Sequence, residues 1–228
     1  MRNKHLRIFS SAALVVSLGL SSVIGQVNPA SFSGKRVNRV VIRGGMIVDG
    51  SGKPAAGPFD IVVEGDSIKE VVALDPVAMK SGEAKRPAAG DVDIDATGKY
   101  VLPGLINAHA HIHDERGGVP MPVEYCMKMW LMNGITTIRE AWSDKRSLAW
   151  RAKTASNELV GPRIFAYGGF VDPPTPHSPE EARQRVRDFK TAGYDGIKLY
   201  TVDREVMQAM ADEAHKLGLR IMHHVGIE

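Results

Sequence analysis

After Pro103 the sequence settles into a regular alternation of short apolar runs and longer helical patterns, and this alternation limits the fold more than any other feature. Strands are predicted at 105–109, 135–139, 163–167, 196–200 and 219–224. Helices fill the gaps. The first runs from about Pro122 to Asn133-Gly134, where the glycine suits a left-handed C-terminal cap. A second covers about 144–159. The third opens with Ser178-Pro179-Glu180-Glu181, a capping box with proline in the first helical position, and ends before Gly193. The fourth starts near Asp203 and ends at Gly218. Strands that alternate with helices imply βα units and a parallel sheet. Five strands and four helices match the opening of a (β/α)8 barrel, a fold that takes about 250 residues. The 126 residues from Pro103 to Glu228 carry the chain about halfway round. A half barrel leaves an open parallel edge and an unfilled interior, so the chain is expected to be a fragment of a longer protein.

Upstream the pattern differs. From Val37 to Asp95 short β runs are broken by turns, with Asp49-Gly50 and Gly65-Asp66 as hairpin signals and a long loop expected over 76–90. This predicts a small antiparallel β-unit over 37–102, ahead of the half barrel at 103–228. Nothing in it suggests chemistry. Residues 1–7 are basic, 12–20 strongly apolar, and 21–26 mostly small and polar, the three regions of a secretory signal peptide cleaved after Gly25. The apolar stretch is nine residues long, against about 20 for a membrane-spanning helix. Residues 26–36 read as a polar linker. The mature protein is therefore expected to be exported, periplasmic or extracellular, without a stable membrane span.

Composition excludes several classes. Hydrophobic residues make up 43% of the chain, which suits a globular protein. Lys plus Arg number 29 against 26 Asp plus Glu, but Arg2, Lys4 and Arg7 supply the whole excess. A nucleic-acid binder would carry its excess charge on the folded domain, so none is expected as partner. Cys126, the one cysteine, can form no intramolecular disulfide and no cysteine-rich zinc module.

His109-Ala110-His111 is the sharpest chemical feature. Residues two apart on a strand point to the same face, so both imidazoles project together at the carboxyl end of the first barrel strand, the end where barrel active sites form. Adjacent imidazoles suit a borderline-soft divalent ion, Zn²⁺ above all. A second feature is Lys198 within Gly196-Ile197-Lys198-Leu199, a lysine inside an apolar strand that needs a partner or a modification if buried. His223-His224 closes the fifth strand. Either could be a ligand, and a strand-end pair with no metal is the plain alternative.

The stretch V-L-P-G-L-I-N-A-H-A-H-I-H (101–113), set between a small β-unit and a run of βα units, resembles the amidohydrolase superfamily of metal-dependent hydrolases. The resemblance covers 37–228. It implies a β-sandwich built from both chain ends beside a (β/α)8 barrel, with the H-x-H on the first strand. It further implies that Lys198 is carboxylated on its amine and bridges two divalent metal ions, with His109, His111 and His224 as the other ligands. Counted from Gly218, the family pattern falls on His224, which faces opposite to His223. The family usually has Asp where this chain has Asn107, a departure outside the ligand set.

Other candidates are weaker. Arg139-Glu140 matches a place where the family often has R-D and could support the metal site from outside the ligand set or form a structural ion pair. His177, in a proline-rich loop, could touch substrate or simply face solvent. Cys126 and Met127, Met129 and Met132 read as packing.

The implied reaction is hydrolysis of an amide or peptide-type C–N bond by a metal-bound hydroxide, in the branch that cleaves dipeptides or acylated amino acids, including prolidase-like members. The family's general-base aspartate stands on the eighth strand, so no catalytic base is expected within this chain. Within the superfamily, a mononuclear deaminase or cyclic-amide hydrolase is the alternative. Outside enzymes, the alternative is a non-catalytic chain that binds metal or a partner.

Overall fold

In a computed structural model of the chain, residues 37–169, 176–199 and 203–223 are described, and they belong to one compact unit, Gly34–Glu228. The expected signal peptide and linker lie outside the described residues. No described helix is long and apolar enough to cross a membrane.

The first sheet is a meander of β1 (Arg39–Ile47), β2 (Ala56–Glu64) and β3 (Ser67–Ala73), antiparallel throughout. Its two connections carry the Asp49-Gly50 and Gly65-Asp66 signals, and Gly50 and Gly65 adopt φ of 80° and 61°. The segment expected as a loop contains a helix, α1 (Pro76–Ser81). Asp75 caps it by accepting the Val77 N–H, Pro76 occupies its first turn, and Gly82 ends it in the left-handed region. Six residues are too short for a periodicity signal, and only the caps marked it.

The purely antiparallel expectation also needs correction. β4 (Val92–Asp95) and β5 (Tyr100–Val101) both run parallel to β1. The crossover through α1 returns the chain to the start of β1, where Asp91 Oδ2 accepts the N–H groups of Asn38 and Arg39 and fixes the parallel register.

The two faces of this sheet differ. On one, Asp60 is wholly buried and takes hydrogen bonds from Arg86 at 2.6 and 2.8 Å, Arg43 at 3.3 Å and the Gly44 N–H at 2.9 Å. On the other, Ile42, Phe59, Ile61, Ile68 and Val71 line an apolar cleft of about 550 Å³.

The second sheet contains β6 (Leu105–Ala110) and, after a short hairpin of β7 (Glu115–Arg116) and β8 (Val119–Pro120), β9 (Ile135–Ser143), β10 (Arg163–Gly168), β11 (Gly196–Leu199) and β12 (Arg220–His223). Its order is β6-β9-β10-β11-β12 and every pair is parallel. The connecting helices are α2 (Val123–Met132), α3 (Lys145–Ser156), α4 (Pro179–Ala192) and α5 (Arg204–Lys216), close to their predicted places. Asp144 forms a capping box at α3, and Ser178 caps α4 by accepting the Glu181 N–H.

Ile197 and Leu199 of β11 pack on Ala182 and Val186 of α4 and on Val206, Ala209 and Met210 of α5. Ile138 and Ile164 pack with Met127 of α2. The helices therefore cover one face of the sheet, and the alternate residues point to the other. The fold is mixed α/β, a parallel sheet curled through half of a (β/α)8 barrel.

Candidate metal centre

His109 and His111 flank Ala110, whose side chain is buried with Met127 and Ile138 on the helix side. By alternation both imidazoles leave the opposite face. Their ring centroids lie 5.2 Å apart with the planes at 60°, and His113 follows with its ring 6.1 Å from that of His111.

The strand is irregular just before this pair. Asn107 pairs with Ile138 and Ala110 with Glu140, so three steps along β6 span two along β9. Such a bulge takes backbone groups out of the ladder. Side chains take them up: Asn107 Oδ1 accepts the His109 N–H at 3.0 Å, and Arg139 Nε donates to the Ala108 carbonyl at 2.6 Å. Asn107, set aside in the sequence as outside the ligand set, thus fastens the backbone of a candidate ligand. Arg139 also lies over the Tyr167 ring, 5.3 Å from its centroid.

Glu140 is 2% exposed. Its Oε2 accepts the Ser143 hydroxyl at 2.6 Å and the Trp142 N–H at 3.2 Å, and its Oε1 stands 3.7 Å from His111 Nδ1. Burial pushes its carboxyl above the usual range, against the lowering effect of hydrogen bonds from Ser143, Trp142 and Ile112. Arg139 and Glu140 do not pair with each other as a local ion pair would require. Each reaches toward β6 instead.

The sequence did not single out Ser143, Trp142 or Trp150, which lie near Glu140 and, with His111 and His113, line a cleft of about 460 Å³. The available signal was the apolar run Ala141-Trp142, which extends β9 beyond the expected end at Arg139.

Lys198 is fully buried on β11, three strands along from β6. Ile197 and Leu199 face the helices, so Lys198 faces the other way, the side on which Ala141, Tyr167 and Met222 cluster. Burial, and then the charge of Arg139, hold its amine below the ordinary lysine value.

Leu199 pairs with His223, so His223 shares the helix-facing side rather than the side of Lys198. His224 lies outside the described residues, as do 170–175 of the proline-rich loop. His177 precedes the cap of α4 and is exposed, with its N–H bound to Glu181 Oε2 at 3.0 Å. Of the α2 residues read as packing, Met127 is buried and Cys126 half-buried, whereas Met129 and Met132 are exposed.

Two of the four predicted ligands, His109 and His111, therefore come together, and Lys198 shares their face. Among the described residues no group of three or more His, Cys, Asp or Glu side chains is arranged to hold a metal ion. The donor set present suits a divalent ion as far as it goes: two imidazoles on one face, and the buried amine of Lys198 on the same side.

The family profile "Amidohydrolase family" matches residues 100–228. The chain is 27% identical over 200 residues to a D-hydantoinase of Streptomyces coelicolor, covering 82% of this chain and 40% of the relative. It is 32% identical over 137 residues to a dihydroorotase of Bacillus licheniformis, covering 58% and 29%. Among solved structures, a Xaa-Pro dipeptidase with bound methionine aligns with a TM-score of 0.63 at 21% identity, over 82% of this chain and 56% of that one. A molinate hydrolase aligns with a TM-score of 0.67 at 20% identity, over 84% and 54%. The chain thus spans less than half the length of these two curated relatives and little more than half that of the two structures. With a profile match over more than half its length, an H-x-H pair at the carboxyl end of the first barrel strand and the half-barrel fold, the chain belongs to the amidohydrolase family.

Proposed function

We propose that the complete protein is an exported hydrolase that cleaves an amide or peptide-type C–N bond, with two divalent metal ions held by His109, His111, carboxylated Lys198 and His224. The observation that carries this reading is the pairing of the His109 and His111 rings, 5.2 Å apart, on the sheet face to which Lys198 also points. When bound, such ions supply a nucleophilic hydroxide near neutral pH and polarise the carbonyl. Zn²⁺ suits the imidazole donors best. The chain's own residues do the holding: the bulge in β6 presents the imidazoles, and Lys198 is fully buried on the face they share.

For the substrate we favour a dipeptide or an N-acylated amino acid. Support comes from fold likeness to the Xaa-Pro dipeptidase and from residues 1–25, whose signal-peptide pattern would place the enzyme where peptides are scavenged. A second reading, a cyclic-amide hydrolase, is favoured by the curated relatives named D-hydantoinase, dihydroorotase and allantoinase.

The test is to purify the complete protein, measure its metal content, and assay it against dipeptides, N-acyl amino acids, and the ring amides hydantoin and dihydroorotate. Two metal ions per chain and turnover of the linear substrates are expected. Turnover confined to the ring amides would replace the first reading with the second. Metal-free protein with no hydrolysis of any of them would sink both.

A further inference from the structure

The bulge before His109 and the buried carboxylate behind His111 bear on how the candidate ligands are aimed. A bulge loosens a strand by taking backbone groups out of the ladder. A metal ligand, by contrast, must be held to within about 0.5 Å of its working position. At 107–110 the two needs conflict, and side chains of β9 stand where they would reconcile them. Arg139 Nε bonds the Ala108 carbonyl at 2.6 Å, directly before His109. Glu140 Oε1 stands 3.7 Å from His111 Nδ1, just beyond hydrogen-bond range, and a slight turn of the ring would close that gap. The carboxylate is itself held still by the Ser143 hydroxyl and the Trp142 N–H on its other oxygen.

We propose that Arg139 and Glu140, adjacent on β9, are positioning residues for the histidine pair. Arg139 pins the bulged backbone through Ala108, and Glu140 orients the His111 ring through Nδ1 and leaves Nε2 as the ligating nitrogen. This inference rests on the metal-centre reading above. A carboxylate on the distal nitrogen of a ligating histidine fixes its tautomer and direction, and removing such a partner typically weakens metal binding by about 10–100-fold.

The experiment uses the complete protein and Zn²⁺ in competition with a chromophoric chelator, with Glu140→Gln, Arg139→Ala and Arg139→Lys compared with His111→Ala and the wild type. Thermal unfolding of the chelator-stripped forms reports whether each variant is folded. Visible spectra of the Co²⁺-loaded forms report the ligand geometry.

Glu140→Gln and Arg139→Ala should each bind Zn²⁺ about 10–100-fold more weakly, with an altered Co²⁺ spectrum and little change in the stripped protein's unfolding temperature. Arg139→Lys, which keeps a donor for the Ala108 carbonyl, should recover part of the loss. Wild-type affinity in Glu140→Gln and Arg139→Ala, beside a loss in His111→Ala, overturns the positioning role and leaves the metal centre standing. Full affinity in His111→Ala overturns the metal centre and the positioning role with it. If Glu140→Gln does not fold, Arg139→Ala decides, because the Arg139 side chain is half-exposed whereas Glu140 is 2% exposed.

Discussion

Among the described residues the two most deeply buried carboxylates, Asp60 and Glu140, are treated in opposite ways. Asp60, in the first sheet, would be raised by burial, but hydrogen bonds from Arg86, the Gly44 N–H and Arg43, with the charge of Arg86, outweigh that and hold it below the usual carboxylate range. Glu140, at the end of β9, is pushed up by burial, and only the neutral donors Ser143, Trp142 and Ile112 work against it. A buried carboxylate matched by guanidinium groups is a finished structural clasp. Asp60 ties β1, β2 and the segment carrying Arg86 into one unit. Glu140 has donors that hold it still, pairs with no guanidinium among the described residues, and turns its other oxygen toward His111. The difference fits the first sheet as scaffold and the rim of the second as the place of the proposed metal centre.

The largest expected effect tests the chemical side. Lys198→Met should bring hydrolysis by the complete protein to background and remove bridged metal, while urea unfolding shows equal or higher stability, because an amine no longer has to be buried. Retained activity and metal would break the comparison by making Lys198 a structural residue. Next comes the scaffold: Asp60→Ala should cost about 3–5 kcal/mol of unfolding free energy by leaving Arg86 without its carboxylate and Arg43 with Asp93 alone, while Zn²⁺ affinity stays at the wild-type value. A matching fall in metal affinity would show that the two regions are not independent.

A smaller loss, about 1–3 kcal/mol, is expected for Gly196→Ala, whose added carbon would meet Tyr167 Cε1 at 2.4 Å and the Arg220 carbonyl at 2.6 Å. Ser178→Ala, which removes the α4 cap, should cost about 1 kcal/mol and leave metal binding unchanged.

The smallest effect lies in the pH dependence of the metal-free protein's stability, where the two carboxylates should have opposite signs. Asp60, lowered in the fold, contributes stability that is present above the ordinary carboxylate value of about 4 and lost as pH falls through its folded value. Glu140, raised in the fold, contributes stability that is full below that ordinary value and lost as pH rises through its folded one. Denaturant titrations from acid to neutral pH should therefore lose the first slope in Asp60→Asn and the second in Glu140→Gln.

Much of this was legible because the relevant signals are local. The period-two and helical runs after Pro103 located five strands and four helices, and the Ser178 and Gly193 caps located the ends of α4. The H-x-H spacing sufficed to put two imidazoles on one face. What escaped depended on contacts between distant segments. The parallel pairing of β4 with β1 is fixed by Asp91 bonding Asn38 and Arg39, some fifty residues away. The helix at 76–81 was too short to announce itself. The bulge at 107–110 follows from a register with β9 that no single-strand pattern contains.

The sequence by itself determined the strands and helices of the half barrel and set the H-x-H histidines on one strand, since these follow from residue type at fixed spacing, while the wider ligand set came only from the resemblance carried by 101–113. The tertiary structure decided which side chains hold those ligands in place. Asn107, Arg139, Glu140 and Ser143 acquire their roles only when β9 lies beside β6, because a hydrogen bond depends on distance and angle between groups, and the chain order of two strands sets neither.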